Sequence, residues 1–367
     1  MGLFIFVLLI ILGFGYPRSK GISFICAIYM FVILGLNTKS ADIGQFKFVY
    51  ENLFELGLLN HYEPAYSLFM AVCRSINIDF VAFRIIWAII VIAFIEMTIK
   101  RTTKNTAMAS AMYMLFVLLL VVSGMRMCIS SAIASYGVSF LADKKKDKKA
   151  FVFVTLAVLF HYSSAFYYIF FIYEKIKRER EIVRKKFIVL LCVLLVGCIV
   201  VRYTNLLYFI ISRFTSRDKT LQWFDTGLSR PSIYGFILAS MVVIVNLFFA
   251  RKSLFSSMLN DLEDKYVILS YDISECLLFL NPLLSINVNF LRIYVGILPL
   301  ILFSIASVLY PNLNTNRITR IYRVSYLSVS IFLWGLLYLV YQGYIYYRGS
   351  GLFLFDALKD NIVFGML

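Results

Sequence analysis

The sequence predicts an all-α, polytopic integral membrane protein with roughly 10–12 membrane helices, among them a half-inserted helix and a short helical hairpin. Three observations lead there. Only 15% of the 367 residues are charged and 61% are apolar, whereas a soluble domain carries about 25% charged residues. Long runs carry almost no charge. The basic residues cluster in short segments between those runs.

Taken in order, the runs Phe4–Gly15 and Phe24–Leu36 read as the first two helices, turning at Pro17-Arg18-Ser19-Lys20. Met1–Tyr16 lacks a basic leader and a small-residue cleavage site, so it reads as a retained helix rather than a signal peptide. Polar sequence follows over 37–79. Within it, 64–78 is too short and too polar at its flanks to cross, and reads as an external or half-inserted helix. Spans continue at Ile85–Phe94, Leu115–Val122, Phe187–Val201 and Ile237–Ala250. The stretch Ala150–Tyr173 has strongly basic segments on both sides. A hairpin turning at His161-Tyr162-Ser163-Ser164 keeps both of those segments on one face. Such irregular backbone at membrane depth is tolerated where it lines a polar cavity. The 25 Tyr and three Trp suit belts at the two interfaces.

The net charge of +16 raises the question of nucleic acid, but its placement argues against that partner. Arg18/Lys20, Lys100/Arg101/Lys104, Lys144–Lys149, Lys175–Lys186, Arg251–Lys265 and Arg317–Arg323 mark cytoplasmic loops. External loops then fall at about 37–79 and 202–230. No linker or repeat divides the chain, so 1–367 reads as a single membrane domain. The six cysteines, Cys26, Cys73, Cys128, Cys192, Cys198 and Cys276, have neither metal-ligand nor disulfide spacing, and read as small core residues. Phosphate loops, dinucleotide fingerprints and zinc motifs are absent from the sequence, and no metal or cofactor is expected.

Ionisable groups in apolar segments are expensive and therefore informative. Arg84, Glu96, Arg126, His161, Asp272, Glu275 and Arg292 form that set. Arg126 starts a helix at the external side, where it serves either as an interfacial anchor or as a fixed cation for phosphate. His161 at the hairpin turn is either a satisfied core residue or a proton acceptor reaching a cavity. Arg292 either pairs with Asp272 or Glu275, which share one helical face, or meets an anion. The external stretch 202–230 carries Arg202, Arg213, Arg217, Lys219 and Arg230 against two acids, an excess that suits an anionic partner or lipid headgroups. The acid–aromatic mixture from Thr38 to Tyr66, with Asp42, Tyr50 and Glu63, suits a sugar or an interfacial belt.

These patches together resemble the EpsG family of exopolysaccharide polymerases, akin in role to Wzy-type O-antigen polymerases. Asp42 and Tyr50 within Gly35–Tyr50 fit its acidic, Tyr-containing loop, and His61-Tyr62-Glu63-Pro64-Ala65-Tyr66 resembles its Tyr-Glu-Pro-Gly-Phe-like step. Met125-Arg126 through Ala132 and Ala134, followed by Phe160-His161-Tyr162-Ser163-Ser164-Ala165, resembles its Arg-Gln-x-Ile-Ala segment and Phe-His-x-Ser-Ala turn. Phe290-Leu291-Arg292-Ile293-Tyr294 resembles its later helix start. Met127, Asn37 and Ile43 depart from the family pattern. The resemblance implies a multi-pass protein of the bacterial cytoplasmic membrane with its site facing outside. Such a protein joins undecaprenyl-pyrophosphate-linked oligosaccharides into capsule or exopolysaccharide. His161, Asp42 or Glu63 would be the catalytic base, and Arg126, Arg292, Arg213, Arg217 and Tyr50 would bind pyrophosphate and glycan. Membrane lipids, a flippase and a chain-length regulator are the further candidate partners. A lipid-linked-oligosaccharide flippase and a different lipid-phosphate-sugar-dependent glycosyltransferase are the alternatives.

Overall fold

The computed structural model describes residues 2–40, 42–122, 124–143, 146–177, 230–255, 261–286 and 290–309. It also describes separate positions at 193, 197 and 213, and several between 321 and 365. Among these the regular structure is helical and no strand occurs; Asn37 and Asn361 form one isolated antiparallel bridge. In chain order the described helices begin with α1 (Gly2–Gly15), α2 (Lys20–Leu36), α3 (Ile43–Glu51), α4 (Pro64–Ser75), α5 (Phe80–Thr102) and α6 (Thr106–Tyr113). They continue with α7 (Leu119–Val121), α8 (Met125–Val138), α9 (Asp147–Phe160), α10 (Tyr168–Lys177), α11 (Arg230–Phe255), α12 (Asp261–Ile286) and α13 (Leu291–Leu309). Phe187–Val201 lies almost wholly outside the described residues, as does most of the 202–230 stretch.

Helix length and composition make this a membrane protein. The 23 residues of α5 rise about 34 Å, enough for a hydrocarbon core of about 30 Å. Met125–Ala142, combining α8 with a 3₁₀ turn, also meets the requirement, and shorter apolar helices cover Gly2–Gly15, Lys20–Leu36, Thr106–Val121, Tyr234–Phe248 and Leu291–Ser307. Phe4, Ile11, Phe24, Ile28, Ile89 and Phe248 stand exposed along these helices. A water-facing surface would not tolerate so many large apolar side chains, whereas lipid does.

Local signals set the helix ends. Ser19 caps α2 by accepting from the Ile22 N–H at 3.2 Å. At the other end of α2, Arg84 of α5 donates to the carbonyls of Asn37 at 2.6 Å and Leu34 at 2.9 Å. Its charge thereby sits at a negative helix terminus and satisfies orphan carbonyls. The run from Thr106 to Val121 is one continuous buried helix with a π turn at Met114–Leu118. That local widening lies just before Arg126, in keeping with the occurrence of π turns near functional sites.

Small residues bring the central helices together. Ser131 and Ser135 of α8 donate to the carbonyl of Gly296 on α13 at 2.7 and 3.2 Å, and Ser130 donates to Ala157 of α9 at 2.7 Å. Polar bonds between close-packed helices are the usual cement in lipid. Gly296 is required by contact: a Cβ there would lie 1.9 Å from the Tyr167 hydroxyl. That hydroxyl donates to the Ile293 carbonyl at 3.0 Å, so the turn after α9 is pinned to the start of α13.

Two sequence expectations are refined here. The hairpin forms, with α9 ending at Phe160, a 3₁₀ stretch over Tyr162–Tyr167, and α10 following. The segment after Asp42, expected as loop, instead folds into α3. Phe46, Val49 and Tyr50, spaced three and four apart, bury one face of it. At 12 residues, α4 rises only about 18 Å and is too short to span. Its Leu68 and Val72 are exposed, as is Ile76 just beyond, while Tyr66, Met70 and Cys73 are buried. Cys26, Cys73, Cys128 and Cys276 are buried; Cys192 and Cys198 lie outside the described residues.

Candidate active site

Glu63 stands immediately before α4, where Pro64 fixes the first helical turn. Its carboxylate is the junction of the site. One oxygen accepts from Arg126 at 2.6 Å, and the other meets His161 Nδ1 at 2.9 Å. Arg126 comes from the first turn of α8, and His161 from the extended residue that ends α9. The Glu63 side chain is only 5% exposed, so an unpaired charge there would be strongly unfavourable.

The electrostatics of this junction have clear directions. Burial alone would raise the Glu63 pKa, but the His161 hydrogen bond and the Arg126 charge outweigh it and hold the carboxyl at about 2. His161, in the turn between helices, is pushed below its ordinary value chiefly by burial; the Glu63 bond opposes this only in part. The resulting state is an ionised glutamate beside a neutral imidazole. With Glu63 acting only as acceptor, Nδ1 carries the proton and Nε2 has the lone pair. That Nε2 is buried and has no hydrogen-bond partner among the described residues, and the same holds for Arg126 Nε.

Asp42, Phe46, Arg126, His161 and Arg292 line one small cavity, completed by Leu120, Gly124 and Met127. Its volume of about 30 Å³ holds a water or two. Aromatic rings frame the cation: the Arg126 guanidinium lies 4.4 Å from the Tyr62 centroid and 6.0 Å from that of Phe46.

The structure therefore brings together Asp42, Glu63, Arg126, His161 and Arg292, residues scattered over most of the sequence. Tyr50 is not among them. Fully buried, it donates to the Ile78 carbonyl at 2.7 Å and stacks on Phe83, which ties α3 to α5. The alternative pairing of Arg292 with Asp272 or Glu275 is not formed among the described residues. Glu275 instead accepts from the hydroxyls of Tyr173 and Tyr271. Arg213 is exposed and outside the cavity lining, and Arg217 lies outside the described residues. Sequence reasoning missed Phe46 and Tyr62 as the aromatic frame, and missed Glu63 as the link between the other two. The only sequence signal for that link was an acid directly before a helix-starting proline.

Among the described residues no cluster of three or more His, Cys, Asp and Glu is grouped to hold a metal ion. What the arrangement offers is a neutral, carboxylate-oriented imidazole beside two guanidinium groups, a pattern suited to moving a proton next to a developing anion.

Fold and site together define an all-α membrane protein with a cationic, histidine-containing cavity. The chain belongs to the EpsG family, whose sequence profile matches residues 20–349. This places it among exopolysaccharide-related membrane proteins. No curated protein and no solved structure matches it.

Proposed function

We propose that this protein is a polysaccharide polymerase. On this reading it transfers a glycan from undecaprenyl pyrophosphate onto the next lipid-linked oligosaccharide, at the outer face of the bacterial cytoplasmic membrane. The observation that carries the reading is the Glu63 carboxylate, which holds Arg126 on one oxygen and His161 on the other beside a cavity that Arg292 also lines.

In the proposed step the acceptor hydroxyl attacks the anomeric carbon of the donor sugar. Its oxygen forms the new glycosidic bond while the bond from that carbon to the pyrophosphate oxygen breaks. His161 Nε2 takes the hydroxyl proton, and Glu63 stabilises the imidazolium that results. Negative charge develops on the departing pyrophosphate, where Arg126 and Arg292 supply fixed cations. The proton then passes to solvent or to the released pyrophosphate. Asp42 stands on the cavity wall as a hydrogen-bond acceptor for sugar hydroxyls. Within this scheme Glu63 orients the base rather than acting as the base, because a carboxylate engaged by both Arg126 and His161 is a poor proton acceptor.

The test is reconstitution. Purified protein in lipid vesicles, given lipid-linked repeats, should build a ladder of products. His161→Ala should reduce the rate by about 10²–10⁴-fold, the contribution of a general base. Full-rate ladder formation with both Arg126 and Arg292 replaced by alanine would overturn the proposed mechanism. Absence of any ladder from the wild type would overturn the polymerase reading itself.

A further inference from the structure

A second and larger cavity lies beside the first, and the proposed mechanism does not use it. Its volume is about 420 Å³, and it is lined by Leu59, Tyr62, Pro64, Ser67, Leu68, Ala71 and Tyr162. Pro64, Ser67, Leu68 and Ala71 follow one side of α4 through its first two turns, a rise of about 10 Å. Leu59, Leu68 and Tyr162 are exposed at its rim. Beyond it Val72 and Ile76 carry the same exposed apolar strip along α4.

Tyr62 links the groove to Arg126, which lines the first cavity. Its ring lines the apolar groove and also lies 4.4 Å from the Arg126 guanidinium. The apolar groove and a cation of the neighbouring cavity thus meet at one aromatic ring. That pairing matches an amphiphile with an anionic head and a long hydrocarbon tail.

We infer that this groove seats the pyrophosphate-proximal isoprenoid units of the lipid carrier, while the pyrophosphate itself meets Arg126. The inference rests on the polymerase reading for the identity of the donor, and its geometry rests on Tyr62 and α4. The short, non-spanning α4 acts here as a tail guide. With Glu63 at its N-terminal end, seating the tail also sets the carboxylate that aligns His161. Donor binding and alignment of the base would then be coupled through one helix.

The experiment uses the full chain in lipid nanodiscs. Benzoylphenylalanine replaces exposed Leu68, and replaces exposed Phe4 of α1, an element that does not line the groove, as a control site. The probe is undecaprenyl-pyrophosphate-linked repeat, labelled separately in the tail and in the sugar. Illumination should give an adduct at position 68 that keeps the tail label after mild acid releases the glycan, and much less adduct at position 4. An adduct keeping only the sugar label, or equal labelling at the two sites, overturns the assignment. In parallel, Ala71→Phe should fill the groove. Its KM should rise about tenfold or more for the undecaprenyl donor and stay within about twofold for a donor whose pyrophosphate carries only an ethyl group and so has no tail to seat, with kcat on that short donor unchanged. Equal losses on both donors, or no loss on either, overturn it as well. Failure of the polymerase reading is separately visible, since the wild type would then polymerise neither donor while the crosslink still reports where the tail lies.

Discussion

Replacing Glu63 with glutamine isolates what the shared carboxylate does. The side chain keeps its size, but an amide now stands where two partners meet an anion at 2.6 and 2.9 Å. Either amide orientation conflicts with one of them. If its oxygen accepts from His161 Nδ1–H, its NH₂ faces the Arg126 guanidinium, donor against donor. If the amide is reversed, Nδ1 must become the acceptor, and Nε2 then carries the proton and is no longer a base. Loss of an orienting carboxylate of this kind costs about 10²–10⁴-fold in rate. The stability consequence follows from titration. A carboxyl with an ordinary value of 4.5 is held at about 2, which corresponds to about 3 kcal/mol favouring the ionised, folded form. Because the folded value is the lower one, this stabilisation is complete above about pH 4.5 and disappears as the pH falls toward 2. Thermal unfolding in detergent from pH 7 to pH 3 measures it, alongside the vesicle transfer assay. The wild type should lose stability through the acid window, and its advantage over Glu63→Gln should shrink there. A Glu63→Gln protein that transfers at the wild-type rate, or an advantage that does not change with pH, would refute the reasoning.

Further outcomes follow from the same contacts. Arg126→Lys keeps the charge but loses the planar fork that bonds Glu63 and lies against Tyr62; transfer should fall about 10–100-fold with folding preserved, as product ladders and melting curves would report. Gly296→Ala should destabilise the protein by about 1–3 kcal/mol through overpacking against Tyr167. Adding Tyr167→Phe, which removes the clashing hydroxyl, should recover part of that loss in a double-mutant cycle of melting temperatures. Arg84→Met strips two charge-assisted bonds from the end of α2; a loss of about 2–4 kcal/mol is expected in the same melts, with no change in donor KM.

The sequence made some of these residues visible for a physical reason. Arg126, His161 and Arg292 stand out because a charge or imidazole in an apolar run is too costly to be incidental. The all-helical fold is equally legible, since charge-poor runs separated by basic turns have few other solutions in lipid. The partnership is a different matter. Glu63 bonds residues 63 and 98 positions away, and nothing in local spacing encodes which acid will meet which cation. Tyr50 misleads for the same reason: composition cannot distinguish a sugar-facing tyrosine from one buried between α3 and α5. The acids of α12 appeared as partners for Arg292 by helical face alone, yet Tyr173 and Tyr271 bond Glu275 instead. Helix α3 was legible in principle, because Phe46, Val49 and Tyr50 have helical spacing, but the polar residues before them suggested a loop.

The central claim is that this chain joins lipid-linked repeats, and deletion in the host tests it most directly. Lipid-linked glycans and surface polysaccharide from the deletion strain would be extracted and resolved on a gel. The account predicts single repeats on the carrier, or one-repeat surface products, with the ladder lost and then restored by the wild-type chain but not by His161→Ala. Carrier-linked repeats held only on the cytoplasmic face would contradict it and point to a flippase, with Arg126 and Arg292 forming a transport site.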